Sequence, residues 1–331
     1  MAISHCGEEF VVIEVTAAAP EAPEAMGSKP KFWFQHEELG RCLYKQARPG
    51  GGEDWAEKIA CELCKLLGIP HAHYELASWR GLRGTVSLSF LPANAALLHG
   101  NEILVESQPD YPRSQSGSRG YCRVPQHTLD AVLSVIGSES RLVVEPPFDW
   151  DPPPDVVDDA GKVFLGYLML DAWIGNQDRH HENWGLVLRP ATEEERKQKV
   201  LEGYAHLAPT YDHASSLGCN ETDETRQNRL TTTDEGYTVR AYVEKARSKL
   251  FARTEDVQPL TTLDAFRQAA SRFRAAARVW LDRLANVSES DTMELLRRIP
   301  SDRISGIGID FTQEVLKVNR RRLVEHPGDL T

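Results

Sequence analysis

The chain has 331 residues, 41% of them hydrophobic and 26% charged. That length exceeds one simple core and suits a large two-lobed unit or two domains, with the composition of an ordinary globular protein. Its formal net charge of −11 repels phosphate backbones, which argues against direct nucleic-acid binding.

The start, Met1–Val12, has no basic stretch leading into a long apolar one. No run approaches the ~20 apolar residues that span a bilayer. The expectation is a cytoplasmic protein without membrane attachment. Six cysteines are scattered along the chain. Cys61 and Cys64 form a CxxC inside a helix-patterned run with no second pair, and structural zinc needs about four ligands. They read as helix residues.

Residues 13–30, rich in Ala, Pro and Glu, read as an irregular lead-in. Lys31–Gln35 and Arg41–Gln46 predict two strands joined by a polar turn, followed by a loop at Pro49, Gly50, Gly51 and Gly52. A helix comes next, with Asp54 as N-cap, Glu57 completing a capping box and Gly68 as the stop. Ile59, Leu63, Leu66 and Leu67 form its apolar face. Tyr74–Ala77 and Gly84–Phe90 predict further strands. Polar residues 106–120 read as an exposed linker, Thr128–Ile136 as a short helix, and the Pro-rich acidic stretch 145–154 as a boundary. Ala160–Ile174 is apolar on all sides with helical period, as expected of a central buried helix. A polar loop, Gly175–Glu182, leads to a strand at Trp184–Leu188. The charged run 193–199 reads as a solvated excursion, and Leu207–Tyr211 as the returning strand. Leu263–Leu284, Thr292–Arg298 and Phe311–Val324 predict helices.

The chemistry concentrates in two stretches. One is Gly175-Asn176-Gln177-Asp178-Arg179-His180-His181-Glu182-Asn183, in which Asp178 and Asn183 are five residues apart; the other is Tyr211-Asp212-His213-Ala214. Phosphoryl transfer needs a carboxylate near the attacking hydroxyl, oxygen ligands for Mg²⁺, and a lysine on the nucleotide phosphates. Asp178 is the candidate base, and Asn183 and Asp212 are the candidate metal ligands. Lys45 is the candidate phosphate lysine, with Lys31 and Lys29 as competitors. Glu57 is its candidate partner, with Glu62 as the alternative. Gly50, Gly51 and Gly52 would let the backbone approach phosphates closely. His180 would brace the loop. The other reading of the histidines is a transition-metal site of His180, His181, His206 and His213.

The Asp-x-x-x-x-Asn loop is shared with protein kinases, and Gly-x-x-Asp-Arg-His-x-x-Asn resembles the phosphoinositide kinases. Taken together, the chain most resembles the HipA-like serine/threonine kinases. The loop Gly175, Asp178, His180 and Asn183 matches theirs, as does Tyr211-Asp212 after the next hairpin. Lys45 within Leu43-Tyr44-Lys45 matches their phosphate lysine, and Glu57 with Leu67-Gly68-Ile69-Pro70 their helix. Val86–Phe90 is similar to their hinge strand, which would turn Ser89, Phe90 and Leu91 toward adenine. The resemblance runs in order over roughly residues 27–325. It implies an α+β, two-lobed kinase-like fold, with a β-rich lobe at 1–95 and a mainly helical lobe at 96–331. It also implies ATP and Mg²⁺ as cofactors, a protein Ser/Thr hydroxyl as acceptor, and an antitoxin as a partner.

Three features depart from the family. About thirty residues precede the first strand, where the long toxins carry a further subdomain, so the short stand-alone members are the nearer match. The loop Gln46–Asp54 has no Ser or Thr, so the toxin's inhibitory loop phosphorylation has no acceptor there. Asp212 is followed by His213-Ala214 rather than Phe-Gly. A lipid or small-molecule kinase, and a nucleotide-binding toxin–antitoxin component with weak catalysis, remain as alternative functions.

Overall fold

The structure, a computed structural model, describes residues 7–16, 22–23, 30–113, 123–137, 143–152, 157–191, 193 and 203–325. Residues 1–6, Lys29, Cys122, and parts of the polar segment (114–120), the Pro-rich boundary (153–154) and the charged run (194–199) lie outside them.

A six-stranded sheet comes first in the chain. Its strands are β1 (Val12–Glu14), β2 (Ala22–Pro23), β3 (Lys31–His36), β4 (Gly40–Gln46), β5 (Tyr74–Trp79) and β6 (Leu82–Leu88). They are ordered β1-β5-β6-β4-β3-β2, all antiparallel except the β1–β5 pair. Side chains alternate across the sheet. Phe32, Phe34, Cys42, Tyr44, Ala77 and Val86 make one apolar cluster. Lys45, one residue on from Tyr44, therefore points to the other face, across from Lys31 on β3 and Thr85 on β6. The lead-in expected to be irregular contributes β1 and β2. β1 pairs with β5 from Val12↔Leu76 to Glu14↔Ser78, and so covers what would otherwise be an open sheet edge.

Helix α1 (Glu53–Leu67) crosses behind the sheet and ends at Gly68, φ 67°. The expected Asp54 cap is corrected by the structure. Gly52 is the N-cap residue, with no side-chain cap bond, and Asp54 is drawn into the helix by two arginines. Its carboxylate, 0% exposed, accepts from Arg83 Nε (3.0 Å) and Nη2 (2.9 Å) and from Arg303 Nη1 (2.7 Å). With Asp54 inside the helix, the predicted capping box with Glu57 cannot form, and Glu57 finds another partner.

The second sheet has the order β7-β9-β10-β8, made of β7 (Ala96–His99), β8 (Val144–Glu145), β9 (Gly185–Pro190) and β10 (Gly203–Leu207). Helices α2 (Gly100–Ser107) and α3 (Leu129–Ile136) follow β7, and α4 (Ala160–Ile174) precedes β9. Every α4 residue except Lys162 is buried, as a helix apolar all round requires. Its end is set by Gly175 at φ 65°. The rest is helical: α5 (Asp223–Thr231), a 3₁₀ turn (Glu235–Tyr237), α6 (Val239–Glu244), α7 (Thr262–Arg272), α8 (Arg274–Asn286), α9 (Glu289–Arg297) and α10 (Gly306–Val324). The predicted single helix over 263–284 is broken at Phe273 (ψ 52°), whose ring lies against Gly161 of α4. The predicted returning strand sits earlier, at Gly203–Leu207. Beyond it the chain leaves this sheet and pairs with the segment after α1, through Thr210 N to Pro70 O (3.0 Å) and Ala72 N to Thr210 O (2.9 Å). That crossing delivers Asp212 to the face of the first sheet that carries Lys45.

Candidate active site

The loop after α4 is built around a buried ion pair. Asp171 is a carboxylate within an apolar helix, and a buried charge must be paired. Arg179, 0% exposed, donates Nε to Asp171 Oδ2 (2.8 Å) and Nη2 to Asp171 Oδ1 (2.8 Å). The same guanidinium donates Nη1 to Asn183 O (2.6 Å) and Nη2 to Thr210 Oγ1 (3.0 Å). Asn176 Nδ2 donates to Asp171 Oδ1 (2.8 Å), and its own Oδ1 accepts from Asp178 N (3.1 Å). The loop is thus folded over one charge pair. Asp178 faces outward with its side chain 37% exposed. Asn183 Nδ2 donates to Asp178 O (2.8 Å), which turns its amide oxygen away from that carbonyl.

His180 Nδ1 accepts from Glu182 N (3.1 Å), and its Nε2 stands 4.0 Å from Asp178 Oδ2. Burial pulls the imidazole down to about 4, so at neutral pH the ring is uncharged. The neighbouring segment is tied to this loop by Gln177 N to Ser215 O (3.2 Å) and Leu217 N to Ile174 O (2.8 Å). Asp212 lies three residues before the first of these ties with φ 59°, a left-handed backbone uncommon for a non-glycine residue.

Lys45 Nζ donates to Asp212 Oδ1 at 2.5 Å. Burial alone would lower the lysine's pKa. The charges of Asp212 and Glu57 outweigh it and hold Lys45 above its ordinary value. The expected Lys45–Glu57 bond is not the one formed. Glu57 Oε1 accepts from His213 N (2.8 Å) and lies 3.2 Å from His213 Nδ1. Its Oε2 is buried without a hydrogen-bond partner among the described residues. The alternative, Glu62, pairs with Lys58 and Lys65 instead. A small cleft of about 10 Å³ lies here, lined by Lys45, Glu53, Asp54, Glu57, Thr85 and Ala214 among others.

The glycine loop connects Gln46 and Ala47 to Glu53 and Asp54, which line this cleft. Glu53 accepts from Arg48 N (2.9 Å) and Arg48 Nη1 (2.9 Å), Gly50 takes φ 73°, and Gly52 N donates to Cys219 O (3.1 Å). A Cβ at Gly52 would lie 2.1 Å from Trp55 Nε1, so no side chain fits. At the expected hinge, β6 stops at Leu88 and Ser89 N donates to Arg41 O (3.0 Å). The Phe90 ring stacks on Tyr211 (5.9 Å, 24°), and Leu91 N donates to Ser89 Oγ (3.4 Å).

The histidines of the alternative metal reading are dispersed among other partners. His181 Nδ1 meets Tyr111 Oη (2.7 Å), His206 Nδ1 donates to Pro146 O (2.9 Å), and His213 meets Glu57 and Thr210. Cys61 and Cys64 are buried in α1, and burial pushes the Cys61 thiol up to about 11.

Sequence reading missed Asp171, Arg179, Thr210, Glu53 and Tyr74. A carboxylate in the middle of an apolar helix was the available signal for the first; Arg179 and Glu53 bond mainly to near neighbours, Asp171 and Arg48, whereas Thr210 and Tyr74 act on Arg179 and Asp212, which are 31 and 138 residues away.

A β-rich unit joined to a helical one, with a lysine strand, a glycine loop and two polar segments meeting between them, defines a kinase-like α+β fold of the HipA type. The H. pylori proinflammatory kinase CtkA has this fold, at a TM-score of 0.68 and 17% identity over 95% of this chain and 96% of that one. HipA of Shewanella oneidensis MR-1, solved with HipB and operator DNA, aligns at a TM-score of 0.53 and 11% identity, over 92% of this chain and 66% of its own. The fold and the resemblance expected from sequence are both borne out at this level. No family model matches the sequence, and no curated protein does. No helix among the described residues is long and apolar enough to cross a membrane.

Proposed function

We propose that this chain is a Mg²⁺-dependent kinase that moves the γ-phosphoryl group of ATP to a Ser or Thr hydroxyl of a protein. The observation that carries the reading is the Lys45–Asp212 ion pair at 2.5 Å, which joins the glycine-loop sheet to the segment tied against the Asp178–Asn183 loop. Residues 1–95 and 96–331 are taken as the two lobes, with the nucleotide between them and the adenine near Ser89, Phe90 and Leu91.

The donor set suits the cation. Asn183 and Asp212 offer hard oxygens, and Mg²⁺ commonly takes one or two protein ligands beside phosphate and water. Bound there, Mg²⁺ would neutralise phosphate charge. Lys45 would donate to phosphate oxygens, and Gly50, Gly51 and Gly52 would present their amides to them. Asp178 would accept the proton of the acceptor hydroxyl as that oxygen bonds the γ-phosphorus and the bond to ADP breaks. A neutral His180 braces this loop without adding charge beside Asp178.

The cytoplasm is the proposed compartment. An antitoxin-type protein is the proposed partner, by analogy with the HipA–HipB complex.

The test is Mg²⁺-dependent transfer from γ-labelled ATP to protein by the purified chain, beside Asp178→Ala and Asp212→Ala. Asp178→Ala should lower transfer about 10²-fold or more while retaining Mg²⁺–ATP binding, and Asp212→Ala should weaken that binding as well. Transfer to lipid or small molecules alone would move the acceptor class, and absence of Mg²⁺–ATP binding would refute the kinase reading.

A further inference from the structure

The residue after the candidate metal ligand Asp212 is a histidine whose side chain is 2% exposed. A buried imidazole requires partners for its ring nitrogens, and His213 has them on both sides. Nε2 lies 2.8 Å from Thr210 Oγ1, and Nδ1 lies 3.2 Å from Glu57 Oε1. The directions of these bonds follow from Glu57, whose carboxylate oxygens can only accept and so take the Nδ1–H, leaving Nε2 as the acceptor. Thr210 Oγ1 accepts from Arg179 Nη2 (3.0 Å) and gives its own proton to His213 Nε2. Nδ1–H then donates to Glu57 Oε1, which also accepts the His213 backbone N–H at 2.8 Å. The result is a continuous buried path from Glu57 on α1, through His213 and Thr210, to Arg179, which ends on Asn183 O at 2.6 Å.

We propose that His213 is a positioning residue which ties α1 to both cation-holding segments, and that this tie sets the affinity of the site for Mg²⁺. The inference rests on the kinase reading. Asp212 sits at φ 59°, and such a conformation persists only where its surroundings hold it. On its N-terminal side the holding bond is long, Asp212 N to Tyr74 Oη at 3.3 Å. On its C-terminal side it is the short His213 N to Glu57 bond. An apolar ring at position 213 would fill the space and keep the backbone bond to Glu57, yet remove the imidazole bonds to Thr210 and Glu57, so that the backbone bond alone would hold the turn carrying Asp212 against α1.

The experiment uses the purified full chain and the variants His213→Phe, Thr210→Val and His213→Asn. The readouts are the Mg²⁺ concentration for half-maximal transfer at saturating ATP, Mg²⁺-dependent ADP binding, and thermal unfolding. Loss of an outer-shell partner typically costs about 10-fold or more in metal affinity. His213→Phe and Thr210→Val should therefore each raise the Mg²⁺ requirement about 10-fold. Their double variant should be no worse than the worse single, since both cut one path. His213→Asn, which keeps a donor toward Glu57, should recover part of the loss. Thr210→Val removes one hydroxyl and carries the test if His213→Phe does not fold. Folded variants with an unchanged Mg²⁺ requirement, or single effects that multiply in the double variant, overturn the proposal. A wild-type chain that transfers phosphate beside such variants refutes this inference alone; a wild type that binds no Mg²⁺–nucleotide removes the kinase reading and this inference with it.

Discussion

Replacing Asp54 with serine separates two accounts of the start of α1. If Asp54 were the N-cap, Asp54→Ser would exchange one good cap for another and cost a few tenths of a kcal/mol at most. In the structure Asp54 instead holds two guanidiniums through three charge-assisted bonds, with its carboxylate 0% exposed and Arg303 only 3% exposed. Serine is too short to reach either arginine. Arg303 keeps one bond, Nη2 to Ala77 O (3.1 Å), but its charge is left buried and unpaired. Removing one partner of such a pair costs about 3–5 kcal/mol. At roughly 2 °C per kcal/mol for a chain of this size, the midpoint should fall by about 6–10 °C in a calorimetric scan. Arg303→Met in the same background should restore part of the loss, because an apolar side chain needs no counter-charge. A fall of less than about 2 °C, or a double variant less stable than Asp54→Ser, would refute the ion-pair account.

Other predictions follow from the same physics. Gly52→Ala places a Cβ 2.1 Å from Trp55 Nε1; the buried indole must move, at about 1–3 kcal/mol, and ATP affinity should drop with it. Gly50→Ala, at φ 73° in open space, should cost about 1–2 kcal/mol and spare the packing, so equal effects at the two positions would contradict the clash. Burial lowers His127 to about 3 and His71 to about 4, against about 6.5 in the unfolded chain. Between pH 6.5 and 4 the unfolded state therefore binds more protons, and stability falls as pH falls, by up to about 1.4 kcal/mol per pH unit for each ring. Denaturant titrations at pH 7, 6 and 5 check this, and a flat profile would mean that the rings are solvated.

What could be read in the sequence depended on the range of the interaction. The strand pair carrying Lys45 was legible because two short aromatic-rich runs flank a polar turn at His36–Gly40, and α4 because its run carries apolar side chains on every face apart from Lys162 and Asp171. Asp178, Asn183 and Asp212 stood out as polar groups placed where an apolar run ends. Asp54 was misread because an acidic residue at a helix start has a local explanation, whereas its partners Arg83 and Arg303 lie 29 and 249 residues away. The short strand beginning at Val12, at the edge of a lead-in read as mostly irregular, was not legible for the same reason: Val12–Glu14 becomes a strand only because β5 offers an edge. Glu57 was assigned to Lys45 on helix position, but its Oε1 went to His213 because a buried backbone amide and a buried imidazole both needed an acceptor.

These misreadings share a physical basis that also bears on how the fold survives at 17% identity or less. Apolar positions tolerate exchange as long as volume and pattern are kept, so sheet, helix and core can drift together. Buried charges cannot drift singly, because each orphan is costly. Among the described residues, two connected sets of polar groups tie the elements around the site together: Asp54 with Arg303 and the partly exposed Arg83, and Asp171 with Arg179, Thr210, His213 and Glu57. Each set ties α1 or its sheet to elements that lie at least 29 residues away in the chain. The second set also reaches the backbone of Asn183 and the residue after Asp212. Geometry at the proposed catalytic centre is therefore maintained through this second set, and substitutions within it should act on stability and on cation affinity together, whereas substitutions in the first should act on stability.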